Sequence, residues 1–396
     1  MESVSRVVLA YSGGLDTTVA VKWFSEAGVE VVTLTVDVGQ GADEAELRER
    51  AVAAGASRHV HVDARREFVE RFVWPAVRAN ALYEGKYPLS SALSRPLIVE
   101  KLVEVAREVG ADAVAHGCTA KGNDQVRFDL TAVALAPELK VLAPVRVWSW
   151  TREEEVRYAE ERGIPVPRAH RRYSIDQNLW GRSVEGSELE DPWTGPSPEA
   201  FEWTVDPERA PDEPLEITLG FEGGVPTSLN GEEMDPEDLV TRLNGLAGAH
   251  GVGRIDHMES RVVGFKSREV YECPAAVTLL EAHFDLEKLI LTKEELRFKS
   301  IADGEWTRLV YEGLWASPLR ESLEEFIASL DRPVSGEVRL RLYKGSVAVV
   351  GRRAERQSYS LEVASYDEGW YPTDEQARGF ISAWGLPTWL AREARG

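Results

Sequence analysis

Residues Ala10-Tyr11-Ser12-Gly13-Gly14-Leu15-Asp16-Thr17-Thr18 stand between a short apolar run, Val7-Val8-Leu9-Ala10, and an amphipathic stretch from about Thr17 to Ala27. Strand, glycine turn and helix in that order put the turn at the carboxyl end of a strand, where open parallel sheets bind their ligands. Gly13 and Gly14 remove side chains where backbone N–H groups must approach an anion closely. Ser12, Thr17 and Thr18 add hydroxyl donors, and the helix points its positive end at the same place. The stretch is not a Walker A loop, because no Gly-Lys-Ser/Thr follows at the required spacing. It is not a dinucleotide fingerprint either, because Gly-x-Gly-x-x-Gly is missing. Taken alone, it also fits a plain Gly-Gly turn capped by Asp16 or Thr17.

Outward from this loop, Val31–Val36, His59–Val62, Ala111–Ala115 and Lys140–Ala143 read as strands, and Asp43–Ala54 and Arg95–Val109 as helices. The alternation implies an α/β fold with a parallel sheet. It ends at Pro165-Val166-Pro167, after which residues 166 to about 212 lose periodicity and are punctuated by Pro192, Pro196, Pro198, Pro207 and Pro211. That segment reads as a long loop between domains, of a length that is often functional. Beyond it, strands are expected at Leu215–Leu219, Arg261–Phe265, Val338–Tyr343 and Ser346–Val350. Helices are expected at Pro236–Ala247, Ala275–Ile290 and Pro318–Leu330, an α+β arrangement. A last helix from about Thr373 to Trp384 precedes a tail carrying Trp389. The expected division is a nucleotide-binding domain over 1–165, an α+β domain over 166–370 and a C-terminal helix and tail over 371–396.

The chain of 396 residues carries 67 Asp+Glu against 46 Lys+Arg, a net charge of −21. This balance argues against a protein that coats nucleic acid or lies on a membrane through basic residues. A pocket for anionic ligands would have to be locally basic against it. The two cysteines, Cys118 and Cys273, have no CxxC spacing, which argues against a disulfide framework or a structural zinc site and for a reducing compartment. The N-terminal residues show no signal-peptide pattern and no apolar run reaches the length of a membrane span, so a cytoplasmic location is expected.

Three downstream blocks are dense in polar groups. Gly117-Cys118-Thr119-Ala120-Lys121-Gly122-Asn123-Asp124-Gln125-Val126-Arg127-Phe128-Asp129 follows a strand and so lies beside the glycine loop. It suits an amino-acid zwitterion, with Asp124 for an ammonium and Arg127 for a carboxylate. A helix cap with an exposed Arg is the plainer reading. Tyr173–Gly186 sits in the aperiodic segment and by itself reads as a solvated polar loop. In the third block, Gly251–Pro274, the residues Glu259, Arg261, Lys266, Arg268, Glu269 and Glu272 could form a surface ion-pair net of little energetic weight.

The Ser-Gly-Gly-Leu-Asp-Thr-Thr loop resembles that of the ATP pyrophosphatases, which split ATP into AMP and pyrophosphate while adenylating a substrate. With the three blocks in this order, the chain is similar to the argininosuccinate synthetases from about residue 6 to about 388. The similarity includes Tyr83–Pro88, Ser94-Arg95-Pro96, Glu190–Trp193, Leu342–Gly345 and Gly379–Ile381 with Trp384–Pro387. Two departures are small: Thr18 stands where Ser is frequent, and Ala120 where Gly is usual.

The resemblance implies an adenine nucleotide alpha hydrolase-like domain, an α+β synthetase domain and a C-terminal oligomerisation helix. It implies ligation of L-citrulline and L-aspartate through a citrullyl-adenylate, with ATP as substrate, Mg²⁺ accompanying ATP and pyrophosphate, and a homotetramer. ATP would be held by Ala10, Tyr11, Ser12, Gly13, Gly14, Leu15, Asp16, Thr17, Thr18 and Gly117. Aspartate would meet Thr119, Asn123 and Asp124. Citrulline would meet Tyr87, Asn123, Arg127, Ser174, Ser183, Glu259 and Tyr271. Arg95, Lys121 and Lys266 would give electrostatic support, no protein ligand to the metal is assigned, and His116 is as well explained structurally. Two other readings remain: a tRNA-modifying enzyme with the same loop, which would need catalytic cysteines and a basic face, and a non-catalytic nucleotide-binding protein.

Overall fold

A computed structural model describes residues 4–164, 172–365 and 372–396. The expected boundaries at 165/166 and 370/371, and with them Pro165-Val166-Pro167, fall at or inside the segments outside this description. The first half follows the expected alternation: β1 (Arg6–Ala10), α1 (Leu15–Glu26), β2 (Glu30–Asp37), α2 (Glu44–Ala54) and β3 (Arg58–Asp63). Then come α3 (Arg65–Phe68), a π-helical turn, α4 (Trp74–Arg78), α5 (Ser90–Val109), β4 (Ala113–Ala115), α6 (Asp124–Leu135), β5 (Lys140–Leu142), α7 (Pro144–Trp148) and α8 (Arg152–Glu161).

The five strands pair in the order β3-β2-β1-β4-β5. All are parallel, with Leu9 of β1 opposite Thr33 on one side and Ala115 on the other. Val7, Val8, Leu9, Val31, Val32 and Leu34 are buried, as a sheet covered on both faces requires. The chain leaves β1 toward β2 on one side and returns to pair β4 on the other. The carboxyl ends of β1 and β4 therefore frame a topological switch point.

The second half contains two antiparallel sheets. One runs β11-β12-β7-β6 and the other β10-β9-β8-β13-β14. The segment expected to be a loop holds a hairpin instead, β6 (Ser174–Asn178) and β7 (Gly181–Glu185), closed by a tight turn. The expected strand at Arg261–Phe265 is the turn between β11 (Arg254–Ser260) and β12 (Lys266–Glu272). Val262-Val263 favoured a strand, but Gly264, at φ +97°, turns the chain there.

The other sheet comprises β8 (Leu215–Glu222), β9 (Val225–Leu229), β10 (Glu232–Glu233), β13 (Gly336–Tyr343) and β14 (Ser346–Arg353). It packs with α9 (Pro236–Ala249), α10 (Pro274–Ile290), α11 (Lys293–Tyr311) and α12 (Pro318–Asp331) around one large core shared with α4 and α5. The sequence reading did not anticipate α11, which begins at a Thr292–Glu295 capping box. After α13 (Leu361–Ala364), α14 (Asp374–Glu393) continues well past Trp384 and takes in Trp389, which was expected in a tail. None of its side chains is buried, and Phe380, Ile381, Trp384, Trp389 and Leu390 are exposed.

One carboxylate ties the linker to the hairpin sheet. Glu272, wholly buried at the end of β12, accepts the N–H groups of Glu202, Trp203 and Thr204 at 2.8–3.1 Å. It also accepts Thr204 Oγ1 at 2.7 Å and Arg182 Nη1 at 2.8 Å.

Candidate active site

The glycine loop lies at the switch point. Tyr11 stays tied to the sheet, its N–H donating to Leu34 O at 2.8 Å and its carbonyl accepting Thr35 Oγ1 at 2.6 Å. Gly13 has φ +73°, and a Cβ there would sit 2.3 Å from Leu47 Cδ2, so both conformation and space demand glycine. Gly14 opens α1, and Thr18 N–H is the first to find an acceptor one turn back, Gly14 O at 3.0 Å. The N–H groups of Leu15, Asp16 and Thr17 thus have no acceptor within the helix and face the space beyond its end. Thr18 Oγ1 donates to Gly14 O at 2.7 Å, and Ser12 Oγ accepts Gly14 N–H at 3.3 Å.

The side chains of Tyr11 and Leu15 are buried in the core, which leaves their backbone to face a ligand. Gly117, following β4, has room for no Cβ, which would lie 2.8 Å from Thr17 Cγ2. The loops after the two central strands are therefore in contact.

Behind the loop, α8 brings Glu155 against Asp16. Burial and the Asp16 carboxylate push Glu155 up to about 8, so this pair holds a proton at neutral pH. His116 is fully engaged. Its Nδ1 accepts Cys118 N–H at 3.1 Å, which puts the ring proton on Nε2, donated to Asp129 Oδ1 at 2.8 Å. Arg146 holds the other Asp129 oxygen at 2.7 Å. His116 therefore fixes the chain entering the Gly117–Asn123 segment.

A second cluster forms where α5, α6, the β6–β7 hairpin and the β11–β12 hairpin converge. Glu259 is buried and accepts Tyr271 Oη at 2.5 Å and Tyr311 Oη. Asn123 Nδ2 donates to Tyr311 Oη at 2.9 Å, while its Oδ1 accepts Val262 N–H at 2.9 Å, which fixes the amide orientation. Tyr87 stacks on Tyr271 with ring centres 4.4 Å apart, and Tyr83 on Tyr311 at 3.5 Å. Arg127 spends Nε on Tyr311 O at 3.1 Å and Nη1 on Asp124 Oδ1 at 2.9 Å. Its Nη2 is buried with no partner. An unsatisfied guanidinium donor in such a place costs free energy unless a ligand oxygen meets it.

Asp124 does not stand free for an ammonium, as its block alone indicated. Its second oxygen accepts Arg95 Nη2 at 2.8 Å, and the same nitrogen reaches Asp176 Oδ2 at 2.7 Å. Burial favours the neutral acid, but Arg95 and Arg127 outweigh it and hold the Asp124 carboxyl down at about 2. Ser91 Oγ donates to Asp176 at 2.6 Å. Ser183 lies opposite Tyr271 in the sheet and donates to Asp176 O at 3.4 Å. Ser174 and Thr119 are exposed at the rim.

Lys121 is exposed, and Lys266 is exposed with Nζ on Ser260 Oγ at 2.7 Å. The expected locally positive cleft is thus a balanced one, because Asp124, Asp176 and Glu259 accompany Arg95 and Arg127. The expected surface ion-pair net is likewise replaced, since Glu259, Glu269 and Glu272 are all buried. Sequence reasoning missed Tyr311, which ends the unanticipated α11, and gave no role to Asp176 although it lay within a quoted block. Only the neighbouring polar residues of that block pointed to it.

A parallel sheet with a glycine loop at its switch point, beside a pocket of paired charges drawn from both halves of the chain, fits a nucleotide-using synthetase. Residues 6–165 match the Arginosuccinate synthase N-terminal HUP domain, and residues 173–391 the Arginosuccinate synthase C-terminal domain. The chain belongs to the argininosuccinate synthase family. It is 57% identical over 393 residues to an argininosuccinate synthase of Pyrobaculum aerophilum, covering 99% of each chain. It is 55% identical to that of Hyperthermus butylicus, over 98% of this chain and 99% of the other. It is 54% identical to that of Rubrobacter xylanophilus, over 96% and 94%. Among the described residues no helix is long and apolar enough to cross a membrane.

Proposed function

We propose a division of labour within this site for an AMP-forming carbon–nitrogen ligase that joins L-citrulline and L-aspartate, with ATP as substrate, in arginine biosynthesis. The N–H groups at the start of α1, with Ser12, Gly13, Gly14, Asp16, Thr17 and Thr18, hold the ATP pyrophosphate; Ala10, Tyr11, Leu15 and Gly117 contribute backbone. Citrulline occupies the pocket of Tyr87, Asn123, Arg127, Ser174, Ser183, Glu259 and Tyr271, its carboxylate on Arg127. Aspartate lies against Thr119, Asn123 and Asp124, with Arg95, Lys121 and Lys266 in support. The observation that carries this reading is the buried, unpartnered Nη2 of Arg127 beside Asn123 and Tyr311.

A urea carbon is a poor electrophile until its oxygen carries a good leaving group. The citrulline ureido oxygen attacks the α-phosphate and expels pyrophosphate; the aspartate amine then attacks the citrullyl-adenylate carbon and expels AMP. Positioning and charge stabilisation carry such a reaction, and orientation alone can remove about 7–11 kcal/mol from a barrier. The oxygen donors at the loop, Ser12, Asp16 and Thr17, suit a hard cation. Bound Mg²⁺ would neutralise pyrophosphate charge chiefly through the phosphate oxygens, with no protein ligand assigned.

The exposed apolar face of α14 supports a homotetramer, the acidic composition an enzyme with neither nucleic-acid nor membrane partners, and the two unpaired cysteines a cytoplasmic location. The domain division remains 1–165, 166–370 and 371–396. The test is pyrophosphate release assayed with every subset of ATP, citrulline and aspartate. Stoichiometric pyrophosphate and AMP are expected only with all three, and pyrophosphate release independent of citrulline would overturn the reading.

A further inference from the structure

Away from the active site, α10, α11 and α12 bury a second polar cluster against the chain that follows α4. His283, Glu287, Lys299 and Asp331 are almost wholly inaccessible, and Asp303 nearly so. Lys299 Nζ lies 2.9 Å from Glu287 Oε1 and 3.0 Å from Asp303 Oδ1, one ammonium against two carboxylates. Asp331 has no ammonium within ion-pair distance, Lys299 acting on it only from further away, and both its oxygens are buried without a hydrogen-bond partner. Arg78 acts on Asp331 only at longer range, with its Nε donating to Gly223 O at 3.1 Å. One ammonium thus faces three carboxylates where an uncompensated charge is costly; burial raises Glu287, Asp303 and Asp331, and the missing positive charge must come as protons or as a cation.

The histidine tautomer sharpens the point. Asn80 Nδ2 donates to Glu287 Oε2 at 2.8 Å and to Asp303 Oδ2 at 3.2 Å, which fixes its Oδ1 as the atom facing His283. His283 Nδ1, 2.9 Å from that Oδ1, must be the nitrogen carrying the proton. Nε2 of the neutral ring is then a lone pair, buried, unpartnered, and 3.5 Å from Asp331 Oδ2. Two lone pairs do not face each other at that distance without something positive between them. Ligand bonds of about 2.0–2.2 Å at a tetrahedral angle place two donor atoms roughly 3.4 Å apart. One donor atom each of His283, Glu287 and Asp331 lies within 4.8 Å of the others. A histidine whose second nitrogen donates to a fixed carbonyl is the usual arrangement of a metal ligand.

We propose that His283 Nε2, Asp331 and Glu287 form a buried structural site for a divalent transition cation of the Zn²⁺ class, oriented by Asn80 and separate from the ATP site. One imidazole nitrogen with carboxylate oxygens matches that class better than Mg²⁺ or Ca²⁺, which prefer oxygen alone. The ion would pin the end of α12 to the middle of α10. Gly224 closes the pocket, since a Cβ there would lie 2.7 Å from Asp331 Oδ2.

The full-length, untagged protein is dialysed against Zn²⁺, freed of loose metal by gel filtration, and its metal measured by mass spectrometry. About one ion per chain is expected in the wild type, and less than about a tenth in His283→Gln and Asp331→Asn. Growth with Co²⁺ should give the visible absorption of a low-symmetry site with a single imidazole. Should the variants fail to fold, that spectrum and X-ray absorption of the wild type decide by counting nitrogen donors. Less than about a tenth of an ion in the wild type would mean that protons alone fill the cluster and would overturn the proposal. So would a full complement of metal retained by both variants, or a coordination shell with several imidazoles.

Discussion

The proposed pyrophosphate loop is made of backbone and hydroxyls of one strand–loop–helix unit. The proposed amino-acid pocket is made of long side chains drawn from α5, α6, α11 and two hairpins. In the first, glycine conformation and the free N–H groups of a helix end would create the anion site, with no cation from another element required. In the second, Arg95 and Arg127 are balanced by Asp124 and Asp176, and Glu259 by two tyrosine hydroxyls. A rigid phosphate would there be met by preorganised dipoles. Two zwitterions, each with a carboxylate and an ammonium, call for both signs of charge held apart. The net charge of −21 is therefore no guide to either place.

The strongest challenge to this contrast is Gly13→Val. It forces a β-branched residue into φ +73° against Leu47. Pyrophosphate formation should fall about 10²–10³-fold with circular dichroism near that of the wild type. A loss under threefold would show that the backbone cradle is not the anion site.

Next is Arg127→Ala, which should raise the citrulline KM about 10- to 100-fold and leave the ATP KM within a factor of about three, with Arg127→Lys only partly restoring it. A shift in the ATP value instead would merge the two regions that the comparison separates.

Glu155 links loop and scaffold. Its ordinary value is 4.5 and its folded value about 8, so the native state keeps a proton that the unfolded chain releases. Stability from this group is therefore full below pH 4.5 and declines as pH rises toward about 8. Glu155→Gln should remove that decline and gain roughly 1–2 kcal/mol over wild type at pH 8 in urea titrations. Parallel stability curves for the two proteins from pH 5 to 8 would refute the Asp16–Glu155 proton.

The smallest effect is expected from Thr17→Ala and Thr18→Val. Each should cut pyrophosphate release about five- to tenfold without changing the thermal midpoint by more than about 3 °C. Full activity in both would leave only backbone in the cradle.

The same contrast explains what the sequence disclosed. The loop was legible because its requirements are local: two glycines, hydroxyls, and a strand before a helix. The parallel sheet followed from apolar runs buried on both faces. The pocket's residues were legible mainly as blocks resembling a family, while their partners were not. The β6–β7 hairpin carries Ser174, Asp176, Gln177, Arg182 and Ser183, whose polar side chains erase the alternation that marks a strand. Helix α11 escaped notice because Lys299 and Asp303 sit at buried positions and break its apolar stripe. Tyr311 went with it. Paired buried charges look like surface in one dimension, and only the fold brings the partners together.

The bonds converging on Glu272 bear on how the molecule opens. Three successive amides, those of Glu202, Trp203 and Thr204, share one acceptor group that belongs to another element. They cannot exchange their hydrogens one by one through local fraying. Deuterium should enter them together, at a rate set by the separation of the linker from β12. This makes residues 202–204 a natural reporter of the release of the linker from the hairpin sheet within the second half of the chain.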